Sequence, residues 1–332
     1  MADFFIEGKS SDDAYPIFRE MLKQNISAHY MDERKSLYEH YCKNEKKCLK
    51  IIPIYNKKYK LDGDFFEKYL DMILKLKAVI SVVDFISFHN IFMYIDYITY
   101  INLGHGVKYF KHFLYKDFSS HTKFNKLLLL PSNRIISMAK KYGWSDNNII
   151  KICLPKWDKY NFNINDKIKF TYSIFVMFTW RMMKNNKYNI SSFYLKNILE
   201  FINNDNLNIE LKKKNIILYF CLHHMFAKYK DKIKMNQNIQ YVNETQIFNV
   251  LNKINLLITD FSSVIFDIIY QNKPYIIFLP DADDPNIETI YNQGYFDIIN
   301  GLKNGSIYFE NIYRNITKAI NIQKFIDYLK YN

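Results

Sequence analysis

The 332 residues include 49% hydrophobic and 17% aromatic side chains, which excludes a mainly disordered chain and suffices for two domains of ordinary size. Lys+Arg 46 against Asp+Glu 33 gives a formal charge of +13, a surplus that favours polyanionic partners such as an anionic membrane face or a phosphate-rich polymer. The basic residues are scattered and no zinc-finger or other nucleic-acid signature accompanies them, so nucleic acid is not expected as a partner.

From the amino terminus, short apolar runs alternate with helical patterns, the signature of parallel-sheet α/β architecture. Strands are expected at 4–7, 27–31, 48–53, 78–82, 99–103 and 127–130, with helices at 13–23, 32–44, 64–75 and 132–142. The last of these opens with Pro131-Ser132 and closes at Gly143. The polar stretch 156–167 has the composition of a linker. Beyond it the spacing predicts strands at 173–178, 216–221, 240–242, 256–258 and 275–278. Helices are expected at 190–201, 225–233, 245–252, 263–271 and 321–330. Two consecutive Rossmann-like domains follow, 1–160 and 161–332, with the active site in the cleft between them. Ligands of open α/β sheets sit beyond the carboxyl ends of the strands, so the post-strand loops are where chemistry is sought.

The four cysteines, Cys42, Cys48, Cys153 and Cys221, form no CxxC pair and read as free thiols of a reducing compartment. Asp3 and Glu7 interrupt the first apolar run, so no signal peptide is read. The stretch 77–103 holds Asp84, His89, Asn90 and Asp96, too polar for a bilayer span. The expected location is cytoplasmic, peripheral at the inner membrane face.

Four constellations carry chemistry. Gly104-His105-Gly106 follows the apolar run 98–103. Flanking glycines allow close approach to the backbone, and a histidine titrating near ~6.5 can accept a proton at neutral pH. A turn with an incidental histidine is the competing reading. In Thr259-Asp260-Phe261-Ser262-Ser263 an apolar strand runs into two serines that open a helix. Hydroxyls and free N–H groups there can hold an anion, although capping alone would explain one serine. His223 and His224 end the run 216–221, and adjacent histidines point differently, so one is taken as a site residue. Zinc would need further ligands, and none is close in sequence. Thr179-Trp180-Arg181 follows the strand at 173–178, and Arg181 offers a fixed fork of donors for phosphate.

In their order along the chain these segments resemble the CDP-glycerol:poly(glycerophosphate) glycerophosphotransferase family of teichoic acid and capsule polymer synthesis. Leu154-Pro155-Lys156-Trp157-Asp158 looks like the family's Gly-x-Pro-Arg-x-Asp segment, and 173–181 is similar to its strand ending in Pro-Thr-Trp-Arg. The stretch 257–267 is close to Leu-Ile-Thr-Asp-Tyr-Ser-Ser-x-x-Phe-Asp, the most specific of the matches. Here Lys156 stands for the usual Arg, Phe178 for a common Pro, and Lys228 is the nearest cation after His223.

The resemblance implies a glycosyltransferase-B-like fold and transfer of an alditol phosphate from CDP-glycerol or another CDP-alditol, with CMP released. His105 would be the base on an acceptor-side domain and His223 a donor to the pyrophosphate. Ser262 and Ser263 would cradle phosphate, with Asp260, Asp281, Thr179, Arg181 and Lys228 at the same site of a nucleotide-donor domain. The acceptor would be a polymer or lipid-linked saccharide. No divalent-metal carboxylate motif stands out, and Mg²⁺ is left open as a cofactor. Members often carry further N-terminal segments, so one domain pair of a larger enzyme is expected. Two rival readings stay open: a nucleotide-sugar glycosyltransferase on the same fold, and a non-catalytic polyanion-binding module.

Overall fold

The computed structural model describes residues 4–8, 14–32, 48–49, 74–81, 97–103, 126–141, 143–160, 172–179, 192–260 and 262–278. The chain divides into two compact units, with the change between Lys159 and Tyr160.

The first unit holds strands β1 (Phe4–Gly8), β2 (Ala28–Asp32), β3 (Cys48–Leu49), β4 (Ala78–Ser81), β5 (Thr99–Asn102), β6 (Lys126–Leu130) and β7 (Ile149–Lys151), with helices α1 (Ala14–Lys23) and α2 (Asn133–Lys141). They form a seven-stranded sheet in the order β3-β2-β1-β4-β5-β6-β7, parallel at every pairing. α1 turns Ala14 and Phe18, one helical turn apart, into a cluster with Ile6, Ala28, Tyr30, Ile80 and Leu103. Ser132 starts α2 by accepting the Ile135 N–H at 3.4 Å.

The sequence reading differs from this unit in two described places. β7 was not expected: it is a three-residue edge strand, half-buried to exposed, whose two isoleucines are cut short by Lys151. The segment read as linker from residue 156 is packed as far as residue 160. Pro155–Lys159 forms a 3-10 turn that buries Trp157, and the Lys159 ammonium lies 5.9 Å from the Tyr15 ring centroid on α1. The helices expected at 32–44 and 64–75 lie almost wholly outside the described residues, except that β2 runs through Asp32.

The second unit orders β8 (Ser173–Met177), α3 (Ser192–Ile202), α4 (Asp205–Lys213), β9 (Ile217–Cys221), β10 (Ile239–Tyr241), α5 (Ile247–Lys253), β11 (Leu256–Thr259), α6 (Val264–Tyr270) and β12 (Tyr275–Ile277). Its five-stranded sheet runs β10-β9-β8-β11-β12, again parallel throughout. Alternate residues Ile174/Val176, Leu218/Phe220 and Leu256/Ile258 face a core made with Tyr194, Ile198, Phe201 and Ile202 of α3 and Leu207 and Leu211 of α4. The intervening Phe175 and Leu257 are buried too, because helices cover both faces of a parallel sheet.

α4 was not expected. Its sequence is polar apart from the stripe it buries, but Asn204 caps it by accepting the Leu207 N–H at 3.0 Å. Leu207 and Leu211, one turn apart and fully buried, contribute about 1.5–3 kcal/mol each. The segment expected as a helix over 225–233 is a 3-10 helix, His224–Lys232.

Helix ends share one device. Asn25, Asn215 and Asn272 adopt left-handed conformations (φ 58°, 52° and 53°) at the second residue past α1, α4 and α6. Each is followed by a residue whose N–H returns to the helix, as Ile216 does to the Leu211 carbonyl at 2.8 Å. Asparagine thus takes the position more often held by glycine, in a chain with only 8 glycines.

Candidate active site

The carboxyl edge of the second sheet is nearly flush. Register pairs Cys221 with Met177, Met177 with Thr259 and Thr259 with Ile277, so the ends of β9, β8, β11 and β12 form one row. The residues just beyond that row are His223 after β9, Thr179 after β8, and Asp260, Ser262 and Ser263 after β11. Adjacent strands are about 4.8 Å apart, so the three strand ends span roughly 10 Å. β8 is the first strand of the unit and lies between β9 and β11, so the strand order reverses between β8 and β11. Open α/β sheets bind ligands at such a reversal.

The two sides of the reversal are tied together. Thr259 Oγ1 donates to the Met177 carbonyl at 2.6 Å, and the Thr179 N–H donates to Asp260 Oδ1 at 2.8 Å. The Tyr194 hydroxyl of α3 donates to the Thr179 carbonyl. Asp260 and Tyr194 are both 0% exposed and Thr179 is buried. Asp260 therefore engages the backbone of the neighbouring strand end.

Ser262 is buried, and its Oγ accepts the Val264 N–H at a long 3.5 Å. Ser263 occupies the N-cap position of α6, half-buried, with φ −61° and ψ −13°, and its side chain makes no capping bond. α6 has only seven residues, so its dipole is small; the hydroxyls rather than the helix end carry the anion-binding argument. His223 is half-buried, and its carbonyl accepts the Phe226 N–H at 2.7 Å as the chain enters the 3-10 helix that carries Lys228.

Beside His223, burial pushes the Cys221 thiol up to about 12, with the Glu244 carboxylate adding to the effect. That thiol donates to the Leu222 carbonyl at 3.5 Å and stays protonated at neutral pH, so it is no nucleophile. Tyr241 at the end of β10 is likewise raised to about 12, by burial first and then by Cys221 and Glu244.

The structure thus brings Thr179, His223, Asp260, Ser262 and Ser263 to one edge of one sheet. His105, Arg181 and Asp281 lie outside the described residues. Tyr194 was not singled out from the sequence. Its signal was a tyrosine within the apolar helical spacing of Tyr194, Ile198 and Phe201, where a buried hydroxyl requires a partner. Among the described residues no group of three or more His, Cys, Asp or Glu stands together to hold a metal ion. Among them, too, no helix is long and apolar enough to cross a membrane.

The family model for CDP-Glycerol:Poly(glycerophosphate) glycerophosphotransferase matches residues 7–293. Among solved structures, a variant of the wall teichoic acid polymerase TagF soaked with CDPG is 16% identical at a TM-score of 0.61, over 99% of this chain and 82% of that one. The S. aureus MnaA–UDP structure is 11% identical at 0.56, over 99% and 87%. The Methanocaldococcus jannaschii UDP-GlcNAc 2-epimerase, with UDP-GlcNAc and UDP, is 15% identical at 0.55, over 98% and 91%. No curated protein matches the sequence. At these identities the structural likeness speaks for the fold, which is the glycosyltransferase-B type of α/β architecture expected from the sequence.

Proposed function

The chain belongs to the CDP-glycerol:poly(glycerophosphate) glycerophosphotransferase family, and from that membership we propose that it transfers glycerol phosphate, or a related alditol phosphate, from a CDP-linked donor to an acceptor hydroxyl. The acceptor is a teichoic-acid-like or capsule polymer, or a lipid-linked saccharide. The observation that carries the reading is the row of strand ends at the reversal of strand order, which collects a histidine and two serines where open α/β sheets bind ligands.

In this reading the second unit holds the donor and the first the acceptor. The acceptor oxygen attacks the β-phosphorus of the CDP-alditol, a new P–O bond forms, and the bond to the bridging oxygen breaks. CMP leaves with the electron pair, and the acceptor proton passes to His105. His223, Ser262 and Ser263 donate hydrogen bonds to the pyrophosphate, whose charge is largest as the bridge breaks. Arg181 and Lys228 add positive charge at the leaving group, and Asp281 is assigned to the same donor site.

The test is release of nucleotide from a panel of CDP-glycerol, CDP-ribitol and nucleotide sugars, with and without an acceptor. CMP from a CDP-alditol supports the phosphotransferase. A nucleoside diphosphate from a UDP- or GDP-sugar alone makes the protein a glycosyltransferase, and a chain that binds polymer but turns over nothing is a binding module.

A further inference from the structure

Asp260 lies within the most specific motif of the chain, beside the two serines, yet it is 0% exposed and its Oδ1 accepts the Thr179 N–H at 2.8 Å. A carboxylate so placed offers no surface to a bound anion, and its charge would oppose one. On the far side of the same residue, Tyr194 donates its hydroxyl proton to the Thr179 carbonyl. The N–H belongs to the peptide unit before Thr179 and the carbonyl to the unit after it. Holding both fixes the two backbone dihedrals of Thr179, and with them the direction of its side chain and of the chain beyond.

We propose that Asp260 and Tyr194 are a peptide clamp, positioning residues that act on the donor through Thr179 rather than by touching it. The clamp sits where strand order reverses, and the bond from Thr259 Oγ1 to the Met177 carbonyl at 2.6 Å secures the same two strands one step earlier. Asp260, Tyr194 and Thr179 are all buried, and hydrogen bonds in so dry a setting are strong and geometrically demanding. The Tyr194 ring is itself held in the core, 5.9 Å from the Phe226 centroid. One core helix and the strand end of β11 thereby set the geometry of the strand end of β8, which a donor must meet.

The identity of the ligand rests on the reading given under Proposed function; the clamp itself does not, and the experiment separates the two. Asp260→Ala, Asp260→Asn and Tyr194→Phe are compared with the wild type in two measurements. Hydrogen exchange at the Thr179 amide, without ligand, reads the clamp directly. Steady-state kinetics with CDP-glycerol read its effect on the donor.

Asp260→Ala should lose Thr179 protection and about 10²-fold in kcat/KM, the scale of a misplaced positioning group. Asp260→Asn should recover most of both, because the carboxamide oxygen accepts the same N–H without carrying charge. Tyr194→Phe removes a single hydroxyl, is the variant least disruptive to folding, and should raise KM for the donor while lowering the melting temperature by only a few degrees. If Asp260→Asn is as impaired in kinetics as Asp260→Ala while Thr179 stays protected, the carboxylate acts on the ligand by charge and the clamp is not its role. Unchanged Thr179 exchange in Asp260→Ala overturns the clamp outright. A wild type that turns over neither CDP-glycerol nor CDP-ribitol overturns the donor reading, and the donor role of the clamp with it, while the exchange data still decide whether the clamp exists.

Discussion

Lys273 lies between α6 and β12, and its ammonium reaches back to the end of α5, donating to the Leu251 carbonyl at 2.7 Å and the Asn252 carbonyl at 2.8 Å. Those carbonyls belong to the last turn of the helix, where no intrahelical donor is available. The contact also holds the turn between α5 and β11, the strand that leads to Asp260. Lys273→Met keeps the apolar stem and removes the donors. Bonds to a charged group contribute ~1.5–3 kcal/mol each when buried. Lys273 is half-buried, and desolvation of its ammonium opposes part of the gain, so the net loss should be about 1–2 kcal/mol at pH 7.

The pH dependence gives a second signature. Burial lowers the Lys273 ammonium to about 8, below the ~10.4 of an unfolded lysine. Between these values the unfolded chain binds a proton that the folded chain has released, so the titration of Lys273 adds stability as pH rises across that window, beyond the contribution at pH 7, and this added part is lost as pH falls through 8. After discounting for solvent screening of a half-exposed group, the rise should be ~1 kcal/mol. Urea denaturation of both proteins from pH 7 to 10 measures it as the difference between two curves, in which titrations common to both cancel. A variant within 0.5 kcal/mol of the wild type, with a parallel pH profile, would refute the reasoning.

His105→Ala should lower turnover by ~10²–10⁴-fold with little change in CDP-glycerol affinity, whereas replacing Ser262 and Ser263 by Ala should weaken donor binding; calorimetry and steady-state kinetics distinguish these outcomes. Asn215→Ala keeps the β-carbon but loses the short amide side chain that makes asparagine tolerant of a left-handed conformation, and should destabilise by ~1 kcal/mol, while Asn215→Gly should be tolerated, as read from thermal unfolding. With a charge of +13 the chain should sediment with vesicles containing anionic lipid and be released by salt; equal binding to neutral vesicles would point to apolar insertion instead.

Periodicity and apolar runs made the parallel α/β architecture and most of its strands legible, because a strand buried on both faces is apolar along most of its length, as Leu256, Leu257 and Ile258 of β11 are. The strand-end rule likewise marks Thr179, His223 and the Asp260–Ser263 segment from the sequence alone. α4 escaped because its stability comes from two buried leucines and an asparagine cap, signals thinner than the polar residues around them. β7 escaped because it is three residues long, and a lysine in an exposed edge position cuts its apolar residues short of a strand-length run. The packed turn at 155–160 was hidden by the charged residues that flank Trp157, the side chain that goes inside. What Asp260 does could not be read from the chain at all. A carboxylate next to two serines has the same sequence whether it faces a ligand or a backbone amide. Its partner is 81 residues away, and only the parallel pairing of β8 with β11 brings the two together.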